Sequence, residues 1–246
     1  MELQMLRFFS VIAVAFVLSG CAAVNIKRPV TEEELAGTKR VAVVSMLGDT
    51  FHGVHVGLTV FQNRQFTGEV PEWEVDKFAS TTALKLLRAG ARFGSASIDR
   101  MGVTPRTLRA EGGQRLRDAA RAQGFDKLVV IVPATSSNHP FFVPGFGAFQ
   151  REIFNGARRC VYAAYIVEVQ DVAKGRPIAW DWGGSDASFG GDAPCVTRSD
   201  SPVSVKQSFS DYSTAEKQAM RVMLEERIEA SMRYALDNVK LLPPSK

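Results

Sequence analysis

Arg40-Val41-Ala42-Val43-Val44-Ser45-Met46-Leu47 is apolar on both faces of any strand it forms. A strand with one wet face alternates. An unbroken run of Val and Ala marks a strand covered from both sides, as at the centre of an α/β sheet. Lys127-Leu128-Val129-Val130-Ile131-Val132 repeats the pattern and is stopped by Pro133. Two such strands with helical periodicity between them predict an α/β (α+β) fold: a single mixed β-sheet of about six strands packed by three helices.

Working outward from the first run, Gly48-Asp49 ends it, and Val54 to Gln62 reads as a second strand. Glu72 to Ala89 is helical by period, with Val75, Phe78, Ala79, Thr82, Leu86 and Ala89 on one stripe and Gly90 as its stop. Phe93 to Asp99 is a strand, and Thr107 to Gln123 a second helix whose early part is weakened by Gly112-Gly113. After the second buried run, Arg159 to Asp171 alternates as a long strand. Val172-Ala173-Lys174-Gly175 turns the chain, and Pro177 to Trp182 returns as the hairpin partner. Ser213-Thr214-Ala215-Glu216 is a capping box. The helix behind it carries Met220, Met223, Leu224, Ile228, Met232, Ala235, Leu236 and Val239 as its apolar stripe. Two stretches interrupt the pattern, an aromatic insertion at 136–156 and a Gly, Ser, Asp and Pro rich loop at 185–211.

The amino-terminal end has a different logic. Arg7 and the free amine precede the apolar run Phe8 to Leu18, which Ser10 alone breaks, and small residues follow. That order is a secretory signal. Eleven helical residues rise only about 16 Å, half of a hydrocarbon core. The run closes on Leu18-Ser19-Gly20-Cys21, which resembles the lipobox of bacterial lipoproteins. The resemblance implies cleavage before Cys21 and acylation of that residue. Because Ala22 rather than Asp follows, it also implies sorting to the outer membrane with the protein on the periplasmic face. The expected organisation is a signal peptide at 1–20, a flexible tether at 21–38 with at most one helical turn near Glu32, and one α/β periplasmic domain at 39–242.

Composition narrows the partners. The formal charge of +4 is mild, and no Lys/Arg block exceeds the pairs Lys27-Arg28, Lys39-Arg40 and Arg158-Arg159, so no nucleic-acid footprint is present. A hydrophobic fraction of 46% and a charged fraction of 23% suit one domain with a sizeable core. With Cys21 set aside, Cys160 and Cys195 are an even pair in an oxidising compartment, so a disulfide between them is expected; two unpaired buried thiols are the alternative.

Val41-Ala42-Val43-Val44, Leu84-Lys85-Leu86-Leu87, Gln123-Gly124-Phe125-Asp126-Lys127-Leu128-Val129-Val130, and Ile166-Val167-Glu168-Val169-Gln170-Asp171 running to Gly175 and Trp180 form a recurring set. It resembles the α/β domain of the TolB amino-terminal region and of the curli-secretion and penicillin-binding-protein-activator lipoproteins. The G-x-D step before a buried strand and the D-x-x-x-G hairpin carry the resemblance over residues 39–183. It implies an accessory or scaffolding role without catalysis. The strand at Val54–Gln62 and the insertion at 136–156 depart from that pattern.

Candidate chemistry is sparse. Asp49-x-x-His52-x-x-His55 could supply metal ligands, with distant His139 as a third, but residues three apart on a strand point to opposite faces, so hydrogen-bonded or exposed imidazoles are the other reading. There is no G-x-S-x-G elbow; Gly184-Ser185-Asp186 lacks the second glycine. Glycines 183, 184, 190 and 191 follow a hairpin and open no helix, so they are not a phosphate loop. In the insertion, Phe141, Phe142, Phe146, Phe149 and Phe154 lie among prolines and glycines. Phe141, Phe142 and Phe146 are therefore expected to form a docking surface for an envelope protein, the alternative being a loop folded back to cap the sheet. The function this predicts is that of a lipid-anchored, non-catalytic accessory in assembly, export or regulation of a cell-envelope machine, without a cofactor. A periplasmic enzyme, a hydrolase with or without a metal at His52 and His55, is the alternative. A ring built through the Met-rich last helix ranks below both.

Overall fold

The computed structural model describes residues 29–135, 141–154, 156–183, 195–196 and 204–243. These form one mixed sheet of nine strands. In chain order the strands are β1 (Arg40–Ser45), β2 (Thr50–Val56), β3 (Arg64–Glu69), β4 (Gly94–Ser97), β5 (Lys127–Pro133), β6 (Gly145–Ile153), β7 (Gly156–Asp171), β8 (Arg176–Trp182) and β9 (Cys195–Val196). The α-helices of four residues or more are α1 (Glu32–Leu35), α2 (Val75–Ala89), α3 (Gly113–Ala122) and α4 (Thr214–Asn238). The main path across the sheet is β3-β2-β6-β7-β5-β1-β4, with β8 and β9 also paired to β7.

The sixteen residues of β7 join two halves. Its first part pairs with β6, from Gly156 opposite Ile153 to Ala164 opposite Gly145. Its second part pairs with β5, from Tyr165 opposite Pro133 to Asp171 opposite Lys127. The parallel half is β4-β1-β5; the other half consists of two hairpins, β2–β3 and β6–β7, with β2 parallel to β6. Alternation along β7 sorts the core. Val161, Ala163, Tyr165, Val167 and Val169 face a single cluster covered by α2 and α4. On the opposite face, Ile166 joins a cluster under α3, whereas Cys160, Tyr162 and Ala164 meet Phe142, Phe149 and Cys195.

Several expectations shift. The packed body begins before residue 39: Val30 and Leu35 are buried in the main cluster, and Thr31 caps α1 through a reciprocal contact with Glu34. Residues 21–28 of the expected tether, Cys21 among them, lie outside the described residues together with the signal peptide. The second strand covers Thr50–Val56 rather than Val54–Gln62, because Gly57 starts a turn whose close approach to Gln62 leaves no room for a Cβ. The expected helix over Thr107–Gln123 opens as a wide π-type turn at Leu108–Gly112. A Cβ at Gly112 or Gly113 would strike the Thr107 or Leu108 carbonyl oxygen, at 2.7 and 2.6 Å. Nine strands replace six. Of the three additions, β3 is a polar edge, β6 lies inside the expected insertion at 136–156, and β9 is two residues long. The last helix matches its cap and its stripe: Ser213 Oγ accepts from the Glu216 amide, and all eight stripe residues are buried.

Candidate functional site

Open α/β sheets bind ligands where neighbouring connections leave a strand on opposite faces, at the carboxyl ends. Here β1 fills that role, because α2 leads to β4 on one side and α3 leads back to β5 on the other. Beyond its carboxyl end, Asp76 in the first turn of α2 accepts from Ser45 Oγ at 2.7 Å and from the Leu47 and Gly48 amides at 2.7 and 3.3 Å. Its other oxygen takes Arg100 Nη1 at 3.2 Å. Both carboxylate oxygens and the Ser45 proton are thus engaged inside the protein. The cluster clasps the β1 loop to α2.

The two histidines of β2 do not converge. Phe51 and Gly53 face the main cluster, with the Phe66 ring filling the space beside Gly53, so His55 points to that side. Val54 belongs to the Cys160 cluster, so His52 points the opposite way. Burial lowers the pKa of both. For His55 the Arg64 charge adds to that effect and Glu152 opposes it, and for His52 Glu69 opposes it. A shared metal is therefore contradicted by the geometry: alternation separates the ligands across the sheet. Among the described residues no three His, Cys, Asp or Glu side chains gather as a metal site. His139 lies outside the described residues, as does Ser185.

Cys160 and Cys195 are bridged, with sulfurs 2.08 Å apart and Cα atoms 5.4 Å apart. The bridge sets β9 against β7, with Cys195 opposite Tyr162. The expected aromatic docking surface is not on the outside. Phe146 is 0% exposed and packs against Phe51 and Trp73; Phe142 is 9% exposed and stacks on Phe149 at 4.4 Å. Only Phe141 of the three remains exposed. The reason is β6. Gly147 lets that strand approach β2 so closely that a Cβ there would sit 1.8 Å from the His52 carbonyl oxygen. The glycines that seem to forbid regular structure instead permit this pairing.

Three features escape the sequence reading. Arg227 is 1% exposed on the inner face of α4, beside Ser231, whose hydroxyl donates to the Arg227 carbonyl at 2.7 Å and meets the Tyr165 hydroxyl at 2.6 Å. A surface groove of about 460 Å³ runs between α2 and α4, lined by Leu86, Gly90, Ala230, Arg233 and Tyr234. Leu58, Val60, Phe61, Ile153 and Phe154 are exposed on two neighbouring turns. No helix among the described residues is long and apolar enough to cross a membrane.

No protein-family model matches the chain, and no curated protein matches it. The solved structures similar to it include two PelC dodecamers. A point-variant PelC dodecamer from Paraburkholderia phytofirmans is 10% identical, with 80% of this chain and 89% of that one covered, at a TM-score of 0.29. The PelC dodecamer from the same organism in another crystal form is 11% identical, with 85% and 94% covered, also at 0.29.

Proposed function

We propose that this chain is a lipid-anchored envelope lipoprotein, held at the outer membrane by acyl chains on Cys21, whose α/β body faces the periplasm. There it serves as a non-catalytic accessory to an envelope machine, in the manner of the TolB-like and curli-secretion lipoproteins. The observation that carries this reading is Leu18-Ser19-Gly20-Cys21 at the end of an eleven-residue apolar run. Each buried methylene adds about 0.8 kcal/mol of membrane affinity, so several chains on one residue make a lasting tether. Two further observations support it. Only seven residues, 22–28, lie between that cysteine and the described body, and the polar groups of the Ser45–Asp76 cluster at the β1 switch point bond within the protein. A hydrolase built on a metal shared by His52 and His55 needs them on one face, and β2 separates them.

Labelling cells with radioactive palmitate tests the reading. The wild-type chain takes up label and fractionates with outer membrane, and Cys21→Ser does neither. Cross-linking in intact cells then recovers a partner with the acylated protein. A mature chain that begins elsewhere than Cys21, or that leaves the membrane in high salt without detergent, overturns the proposal.

A further inference from the structure

Exposed apolar side chains collect at one end of the hairpin half. Leu58, Val60 and Phe61 sit on the turn between β2 and β3, and Ile153 and Phe154 close β6. Because β2 and β6 are parallel neighbours with Val56 opposite Arg151, the two turns emerge side by side. Phe61 and Phe154 are 95% and 96% exposed. Rings so placed contribute nothing to the core, and clustered apolar exposure marks a contact surface.

A cationic band lies directly behind them. Arg151, Arg158 and Arg159 are all exposed. Arg151 stands opposite Arg158 across the β6–β7 ladder, and like charges in that position oppose the pairing. Glu152, the acidic side chain of the stretch, is engaged by Gln150 at 2.5 Å. An external anion would relieve this arrangement. Along β6 and β7 the arginines lie two to four strand positions behind Ile153 and Phe154, roughly 7–13 Å at 3.3 Å per residue.

We propose that the two turns insert into the interface of an anionic lipid bilayer, with Phe61 and Phe154 at the acyl boundary and Arg151, Arg158 and Arg159 at the headgroup phosphates. Interfacial segments bury apolar side chains about 5–10 Å deep, which leaves the basic side chains at the depth of the phosphates. Two separate protruding points favour lipid over protein: a protein would need a pocket shaped for each, whereas acyl chains accommodate either. The site is also distinct from any lipid at Cys21. The chain enters at the other end of the body, where the Val30 amide bonds the Val239 carbonyl and Glu32 pairs with Arg92 just before β4. The sixteen residues of β7 put roughly 50 Å between the two ends. The inference holds with or without acylation.

The full chain carrying Phe61→Cys or Phe154→Cys, labelled with an environment-sensitive fluorophore, is mixed with phosphatidylglycerol or phosphatidylcholine vesicles; wild-type chain labelled in parallel is the control. Because the probe reports only the surroundings of the tip, attachment through an acyl chain does not mimic insertion. The expected result is a blue shift with phosphatidylglycerol, much weaker with phosphatidylcholine. Combining Arg151→Glu with Arg158→Glu should weaken the response at least about tenfold, at near one kcal/mol per basic residue. An unchanged spectrum with both vesicles overturns the proposal. So does a shift produced by unlabelled chain alone, which would mark self-association. Phe61→Ser with Phe154→Ser should abolish co-sedimentation of non-acylated chain with phosphatidylglycerol while leaving the melting temperature unchanged. A large fall in melting temperature would assign the rings to the fold.

Discussion

The two halves that meet on β7 are built by different means. In the parallel half, β1 and β5 are covered on both faces by helices, and between their end residues the side chains are Val, Leu, Ile and Ala in unbroken order. In the hairpin half, β2 and β6 carry glycines and aromatic residues, one face meets α4 and its aromatic cluster, and the other is closed by Phe142 and a disulfide. Apolar packing suffices where two helical layers are present. Where one is missing, a covalent bridge and stacked rings take its place.

The comparison can be broken first at Lys127. Its ammonium pairs with Asp171 at 2.8 Å, and both side chains are less than a tenth exposed. Lys127→Ala leaves a buried carboxylate without its partner, so chemical denaturation should show a loss of about 3–5 kcal/mol. Burial alone would raise the Asp171 pKa, but Lys127 and the Lys174 amide outweigh it and hold the carboxyl below its ordinary value. A depressed carboxylate stabilises the fold above its unfolded pKa, near 4, and loses that contribution as the pH falls through the folded value. The wild-type melting temperature should therefore be level above that range and drop below it. In Lys127→Ala this acid-induced drop should be smaller or reversed.

Next is the bridge. Opening the 36-residue ring from 160 to 195 by Cys160→Ser with Cys195→Ser should cost about 3–4 kcal/mol in thermal or urea unfolding. Gly147→Ala forces a methyl group onto the His52 carbonyl and should lower stability by about 1–3 kcal/mol. The smallest effect is expected at Ser213→Ala. Losing the cap of α4 should cost about 1 kcal/mol, shared by both halves because that helix packs across them.

The two halves were also unequally legible. Continuous apolar runs announced β1 and β5, and the turn at Asp171–Gly175 announced β7 and β8. In the structure the Gly175 amide bonds the Asp171 carbonyl, and the Lys174 amide bonds the Asp171 carboxylate. The disulfide followed from counting cysteines. By contrast, Gly145-Phe146-Gly147-Ala148-Phe149 reads as irregular until the partner strand is known, because Gly147 answers to His52 on another strand rather than to its own neighbours. Val60 and Phe61 defeat pattern reading from the other side: their apolar character suggests a strand, and they lie exposed on a turn. Arg227 was legible in principle. It falls three and four residues from Leu224 and Met223 on the inner stripe, and its charge argued against what its spacing required. At the site level, the opposite orientations of His52 and His55 were readable from strand alternation. The burial of Phe142 and Phe146 was not.

Hydrogen exchange on native and reduced protein tests the two-half architecture most directly. Reduction should strip protection from β6 and the first part of β7, residues 145–164, while β1 and β5 keep theirs. Loss of protection spread evenly over the whole sheet, or confined to residues 40–45 and 127–133, would contradict it.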